Sequence, residues 1–505
     1  MNQLDKFNQS VMKYDLPQGK IYVGGIWKKG GGNSIQSYFP ADRTINGELT
    51  GANDADIDQA IEYGQKAVKN PAWANLLPHE RASILYRIAE GIKNNVERIA
   101  YIQTRDTGKT LTETRALANS AAGTFRYFAA VLETAQEALT PSRGAYMTFS
   151  RYEPIGLVSA ITPWNSPIAS DAQKVAPALA AGNAVLLKPS SWSPLVCLEL
   201  ARIIDEAGLP KGLFSALPGS GSIVGERLVT DPAIGRISFT GGTNVGHEIA
   251  IKAASRFVPV SLELGGKSPT VVFEDADINM AIAGVLYGIF SSSGQSCIAG
   301  SRLLVQKSIY PQFVKKLVEA TKALKIGHPF DPQTQVAPLI HDTHRMAVEE
   351  WVERARQEGG KILTGGMRPK GEIYEAGCYF SPTIIEGLPN HSSVCREEIF
   401  GPVLVVMPFS DETEAVTMAN DNAYGLACGV WSKDVIRALR VGQAITTGTV
   451  WVNTYKQFSI STPFGGVKES GCGREKGIEG LRSYMNQKSY YIDTSQKPLG
   501  WARFP

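Results

Sequence analysis

Apolar residues first recur at helical spacing. Ile57, Ala60, Ile61, Ala67 and Val68 share one face behind the cap candidate Asp54, and Asn70-Pro71 ends the run. Leu85, Ile88, Ala89, Ile92 and Val96 predict a second helix, so the N-terminal part reads as helical. From about residue 155 the pattern changes. Short, nearly continuous apolar runs at 156–161, 184–187, 213–217, 236–239 and 258–262 predict strands, with helices between them at 195–205 and 245–255. Strands without polar alternation belong in a parallel sheet covered on both faces. The expected unit is a Rossmann-like dinucleotide fold. A second α/β region opens near residue 265, with strands at 303–306, 403–407 and 449–453. The segment 484–492 alternates roughly between polar and aromatic residues, as a late strand pairing across a subunit boundary would.

At 505 residues the chain is too long for one core, and two or three domains are expected. The 51 basic and 48 acidic residues are interspersed, with no basic block for nucleic acid or an anionic membrane. No apolar stretch approaches the roughly 20 residues that span a bilayer, and residues 1–6 lack the start of a secretory signal. The six cysteines, Cys197, Cys297, Cys378, Cys395, Cys428 and Cys472, include no CxxC pair, which fits a reducing cytoplasm.

Several segments offer chemistry. Gly219-Ser220-Gly221 with Gly225 is a loose dinucleotide fingerprint, and equally a tight turn. Phe239-Thr240-Gly241-Gly242-Thr243-Asn244-Val245-Gly246 follows a strand and opens a helix, where free N–H groups suit a pyrophosphate. Lys188-Pro189-Ser190-Ser191 places a lysine at a strand end, within reach of a ribose hydroxyl or simply at the surface. Cys297 follows the small residues Ser291-Ser292-Ser293-Gly294-Gln295-Ser296; a lone cysteine is more often inert core than nucleophile. Glu263 stands between Leu262 and Leu264 before two glycines, where an apolar setting raises a carboxyl pKa toward general-base use. Pro163-Trp164-Asn165-Ser166-Pro167 holds Asn165 in a rigid turn as an amide donor. His341 and His344 have ligand-like spacing without further partners, so a helix start is favoured over a metal site.

Taken together and in order, these segments, with Glu397-Glu398-Ile399-Phe400 and Pro463-Phe464-Gly465-Gly466, resemble the motif series of the aldehyde dehydrogenase superfamily from about residue 20 to 495. The resemblance implies an α/β architecture of three parts. They are a Rossmann-like cofactor domain (1–130 and 152–264), an α/β catalytic domain (265–465), and a small β oligomerisation element with the C-terminal tail (131–151 and 466–505). It implies Cys297 as nucleophile, Glu263 as base for hydrolysis, Asn165 with the Cys297 N–H as oxyanion hole, and Lys174 in support. It assigns NAD(P)+ binding to Ile161, Thr162, Pro163, Trp164, Lys188, Ser190, Ser191, Gly221, Gly225, Phe239, Thr240, Gly241, Gly242, Gly246, Leu264, Glu398 and Phe400. A small-molecule aldehyde substrate, no metal and a homodimer or homotetramer complete the expectation.

The chain departs from the family pattern twice. Ser191 stands where many NAD-preferring relatives carry Glu, so NADP+ is expected to be accepted beside NAD+. Gly242 replaces a frequent Ser or Thr, removing a hydroxyl but not the backbone N–H. A coenzyme-A-acylating relative would lack the base, and a non-catalytic one would lack the set Cys297, Glu263 and Asn165. Ser166, Ser170 and Gln173 suggest a polar substrate, whether hydroxylated, carboxylated or amide-bearing, between the apolar walls Phe458 and Phe464.

Overall fold

The apolar runs at 156–262 form the middle of an eight-stranded sheet in a computed structural model that describes residues 13–17, 19–498 and 500–501. Residues 1–6, read above for a leader, lie outside the described residues. The five central strands, Phe214–Ala216, Ala184–Lys188, Leu157–Ile161, Ile234–Thr240 and Val260–Glu263, are adjacent in that order and parallel. Successive side chains point to opposite faces. Val158 and Ala160 join one core, with Val185, Leu187 and Phe214, under the helices Pro78–Asn94, Val96–Thr107 and Leu111–Thr134. Leu157 and Ile161 join the other, with Leu186, Ile237 and Phe239, under Asp54–Lys69 and Thr243–Ala254. Burial on both faces is why these strands lack alternation. The strand order reverses between Leu157–Ile161 and Ile234–Thr240, and beyond the carboxyl ends of such strands a crevice opens.

A second sheet of seven strands repeats the logic: Lys361–Thr364, Thr383–Glu386, Val403–Phe409, Arg302–Gln306, Pro269–Val272, Ala427–Trp431 and Thr449–Val452, all parallel except the first. A separate three-stranded antiparallel sheet holds Met485–Asp493, Tyr146–Pro154 and Leu139–Thr140. Its outer strand Met485–Asp493 pairs on one side only among the described residues, and Tyr491 and Ile492 are exposed.

The structure corrects several local expectations. The first helix begins at Asp54 but is capped by Asn53, whose side chain accepts from the Asp56 N–H in a capping box. Val96 belongs to the next helix, because Asn95 ends Pro78–Asn94. The N-terminal part is not only helical. The hairpin of Ile21–Val23 and Ile26–Lys28 extends the first sheet, and Ser34–Tyr38 pairs with Ile45–Thr50. The segment 466–505 is shared. Gly471–Cys472 closes the first sheet against Leu262 and Glu263, and Leu481 and Tyr484 join its core.

Candidate active site

Cys297 is fixed by the turn before it. Ser292, Ser293 and Gly294 all have positive φ (56°, 55° and 74°), a conformation costly for any residue with a Cβ. The turn is pinned from outside. The Ser292 N–H donates to Glu113 Oε1 (2.6 Å), the Ser293 hydroxyl to the Ala337 carbonyl (2.6 Å), and Gln295 Oε1 accepts from the Ile340 N–H (2.9 Å). A Cβ on Gly294 would strike the Gly401 carbonyl, so glycine is required there. Among the described residues the Cys297 N–H has no protein acceptor. Burial, with Glu398 and Glu263 nearby, pushes the thiol up to about 12, while Lys456 opposes the rise.

Glu263 ends the strand Val260–Glu263, is only 4% exposed, and neither carboxyl oxygen has a hydrogen-bond partner. Burial and the neighbouring Glu475 hold its pKa well above the ordinary range, against Lys174, Arg474 and Lys476. The glycines that follow let two segments meet it closely. A Cβ on Gly266 would run into the Cys297 carbonyl, and one on Gly265 into the Glu398 carboxylate. Glu398 Oε1 also accepts from the Gly266 N–H (2.9 Å). Asn165, in the turn between Ile161 and Pro167, donates one amide hydrogen to the Gln295 carbonyl (3.0 Å) and faces the same cavity.

One cavity of about 640 Å³ joins these groups. Of the residues singled out from sequence, it gathers Cys297, Glu263, Asn165, Pro163, Trp164, Thr240, Gly241, Gly242, Leu264, Glu398 and Phe400, with Ser166, Ser170, Gln173, Phe458 and Phe464. Ile161, Thr162 and Phe239 are buried behind this wall. Gly246 lies in the first turns of Thr243–Ala254, where a Cβ would strike Leu264. Lys188, Ser190, Ser191, Gly221 and Gly225 cluster beyond it. The Lys188 ammonium donates to the Pro189 carbonyl (3.0 Å), Gly225 faces its stem, and Ser191 Oγ donates to the Gly219 carbonyl (3.0 Å). Ser190 Oγ accepts from the Trp192 N–H (3.3 Å). Burial lowers the Lys188 ammonium to about 8. The helix Thr243–Ala254 starts at Gly242 without a side-chain cap, and a Cβ on Gly242 would meet open space. Its first N–H groups are thus directed at an open site suited to an anion.

Lys174 does not line the cavity. It is buried on the helix Pro167–Ala180 and donates to Glu475 Oε1 (2.5 Å) and Ser238 Oγ (3.1 Å). Glu475 also accepts from Gln173 and reaches the cavity wall. His341 and His344 are not joined as ligands. His341 caps its helix, accepting from the Thr343 N–H and stacking on Trp192, while His344 hydrogen-bonds the Phe400 carbonyl. Among the described residues no cluster of three candidate metal ligands forms.

Glu475, Lys456, Lys476, Lys109 and Glu113 also line the cavity, and sequence reasoning missed them. The one signal was position: Lys456 and Lys476 flank the Phe458 and Phe464 walls.

Comparison with known proteins accords with this geometry. A model described as the aldehyde dehydrogenase family matches residues 27–490. A betaine aldehyde dehydrogenase of Bacillus subtilis (strain 168) is 38% identical over 484 residues, covering 95% of this chain and 99% of the relative. A chloroplastic betaine aldehyde dehydrogenase of Atriplex hortensis is 38% identical over 505 residues, covering 98% and 100%. The solved betaine aldehyde dehydrogenase of Staphylococcus aureus in complex with NAD+ is 35% identical, with a TM-score of 0.94 over 97% of each chain.

Proposed function

The chain belongs to the aldehyde dehydrogenase family, and from that premise we propose that Cys297 is the nucleophile with which it oxidises an aldehyde to a carboxylic acid. The enzyme is NAD(P)-dependent and acts on a small-molecule aldehyde. The observation that carries the residue assignment is the meeting, in one cavity at the strand ends, of the Cys297 thiol, the unpartnered Glu263 carboxyl and the Asn165 amide.

The Cys297 thiolate adds to the aldehyde carbon and forms a tetrahedral oxyanion. Asn165, through its remaining amide hydrogen, and the Cys297 N–H hold that charge. NAD(P)+, when bound, would supply the hydride acceptor. The thioester left on Cys297 is then attacked by water. Glu263 takes the water proton; a carboxyl raised above its usual range has a conjugate base strong enough for the task. The acid leaves and the sulfur is restored. Lys174 supports this by holding Glu475, whose charge helps to raise Glu263.

The residues present fit the cofactor. The uncapped start of Thr243–Ala254 would hold the pyrophosphate, with Gly221 and Gly225 allowing close approach. Lys188, Ser190 and Ser191 would hold the adenine ribose, and Glu398 with Phe400 the other ribose. Ile161, Thr162, Pro163, Trp164, Phe239, Thr240, Gly241, Gly246 and Leu264 shape the walls between. Ser191 brings no carboxylate to repel a 2′-phosphate. Incubating the protein with an aldehyde and each cofactor in turn, without coenzyme A, tests the whole reading. NADH and free acid are expected, NADP+ is also expected to work, and Ser191→Glu should lower NADP+ use selectively. A requirement for coenzyme A would overturn the hydrolytic reading, and rejection of NADP+ by orders of magnitude the role of Ser191. The polar Ser166, Ser170 and Gln173 favour a substrate with a polar group.

We propose the same division of labour along the chain. Residues 1–130 and 152–264, with the first sheet, bind cofactor; 265–465, with the second sheet, carry the nucleophile; 131–151 and 466–505 supply the oligomerisation element and the C-terminal tail, of which Gly471–Cys472 also completes the first sheet. The one-sided strand Met485–Asp493, with Tyr491 and Ile492 exposed, supports a homodimer or homotetramer. Light scattering should give twice or four times the chain mass, and a monomer at working concentration would sink this. Six free cysteines support a cytoplasmic location, and among the described residues no helix is long and apolar enough to cross a membrane. Activity that sediments with membranes after cell fractionation would count against that location.

A further inference from the structure

Three lysines line the cavity without a carboxylate partner. Lys109 precedes the helix Leu111–Thr134, Lys456 follows the strand Thr449–Val452, and Lys476 precedes the helix Gly477–Arg482. Among the described residues none of the three forms an ion pair. Lys456 donates only to the Ser291 hydroxyl (2.8 Å), which leaves two of its three N–H donors for a ligand. Burial lowers the Lys456 ammonium to about 7, the like charge of Lys109 adds to this, and Glu113 and Cys297 oppose it. Lys109 and Lys476 are lowered too, chiefly by burial.

The carboxylates of the wall act on these lysines only from beyond ion-pair contact: Glu113 on Lys109 and Lys456, Glu475 and Glu263 on Lys476. Both Glu113 oxygens are committed, Oε1 to the Ser292 N–H and hydroxyl, Oε2 to the Thr110 N–H and hydroxyl. Glu475 is paired with Lys174, and burial favours the neutral form of Glu263. Glu398 is bonded to the Gly266 N–H. The faces of Phe458, Phe464 and Tyr287 are also taken. The Lys476 ammonium lies 4.1 Å from the Phe458 ring centroid and 5.4 Å from that of Phe464, and Lys456 lies 5.9 Å from that of Tyr287. Those faces are what a quaternary ammonium would need, and here they hold cations of the chain itself. A partly buried ammonium without a counterion is unfavourable until an anion arrives.

We propose that the substrate is an aldehyde bearing a carboxylate, which docks on Lys456 and Lys476 while its carbonyl meets Cys297, and that trimethylammonium aldehydes are poor substrates. This rests on the active-site reading above. The test compares kcat/KM for 4-oxobutanoate and 5-oxopentanoate with butanal, pentanal and 4-(trimethylammonio)butanal. Native enzyme should favour at least one carboxylate over its uncharged counterpart by about tenfold or more, with the cation below butanal. Lys456→Met and, separately, Lys476→Met should each cut the carboxylate-to-neutral ratio by about tenfold, and Lys456→Glu should move the preference toward the cation. If butanal is oxidised but the cation is preferred, or the ratio is unmoved in both folded lysine variants, the substrate proposal is overturned and the dehydrogenase reading stands. If none of the five aldehydes reacts, the reading of the site falls and this proposal with it.

Discussion

Cys297→Ala is expected to lose aldehyde oxidation by on the order of a thousandfold or more, while NAD+ still binds. The loss is large because the whole route passes through a bond to this sulfur. No other cysteine can stand in: Cys197, Cys378, Cys395 and Cys428 are buried, and Cys472 sits on an edge strand outside the cavity lining. The fold should survive. The loop is held by Ser292, Ser293 and Gln295, not by the thiol, and alanine leaves only space facing the cavity. Cofactor binding followed by calorimetry would show the site intact. Oxidation above trace level by such a folded variant would sink the covalent route.

Glu263→Gln is expected to slow steady-state turnover by roughly 10²–10⁴-fold while sparing the first hydride transfer. The substitution is close to isosteric, and both native oxygens lack partners, so no structural bond is lost. Burial disfavours the charged form of this carboxyl, so a neutral amide in its place is a mild electrostatic change. What it removes is the ability to take a proton from water at the thioester. Rapid mixing should therefore show a burst of NADH equal to the active sites, then a slow phase. A first turnover as impaired as the steady state would mean that Glu263 acts mainly before the thioester forms.

The parts of the molecule legible in sequence are those whose environment writes a pattern. The strands from Leu157–Ile161 to Val260–Glu263 are buried on both faces, so their apolar runs stand out. The hairpin of Ile21–Val23 and Ile26–Lys28 is short, and its second strand is partly exposed, so it leaves no such trace. Val96 kept the helical spacing of its predecessor although Asn95 had ended that helix. Within the site, Gly265, Gly266 and Gly294 were legible because close approach demands glycine, of a carboxylate at the first and of backbone at the other two. Lys456, Glu475 and Lys476 were not. Lys456 and the short charged run Arg474-Glu475-Lys476 lie in irregular stretches, and only folding brings them to a cavity built from segments hundreds of residues away.

The closing strand Gly471–Cys472 has a consequence for how the molecule is made. The sheet that begins with Ile21–Val23 gains its last strand only after residue 472 has left the ribosome. By then the nucleophile at 297 has long been synthesised. A half-made chain thus carries its reactive sulfur without Glu475 and Lys476, and without Phe464 to wall the cavity. Long-range closure of this kind is slow to form, and it ties chemical competence to near-completion of translation. A chain stalled short of Gly471 then holds Cys297 in a cavity that still lacks the wall supplied by Glu475 and Lys476.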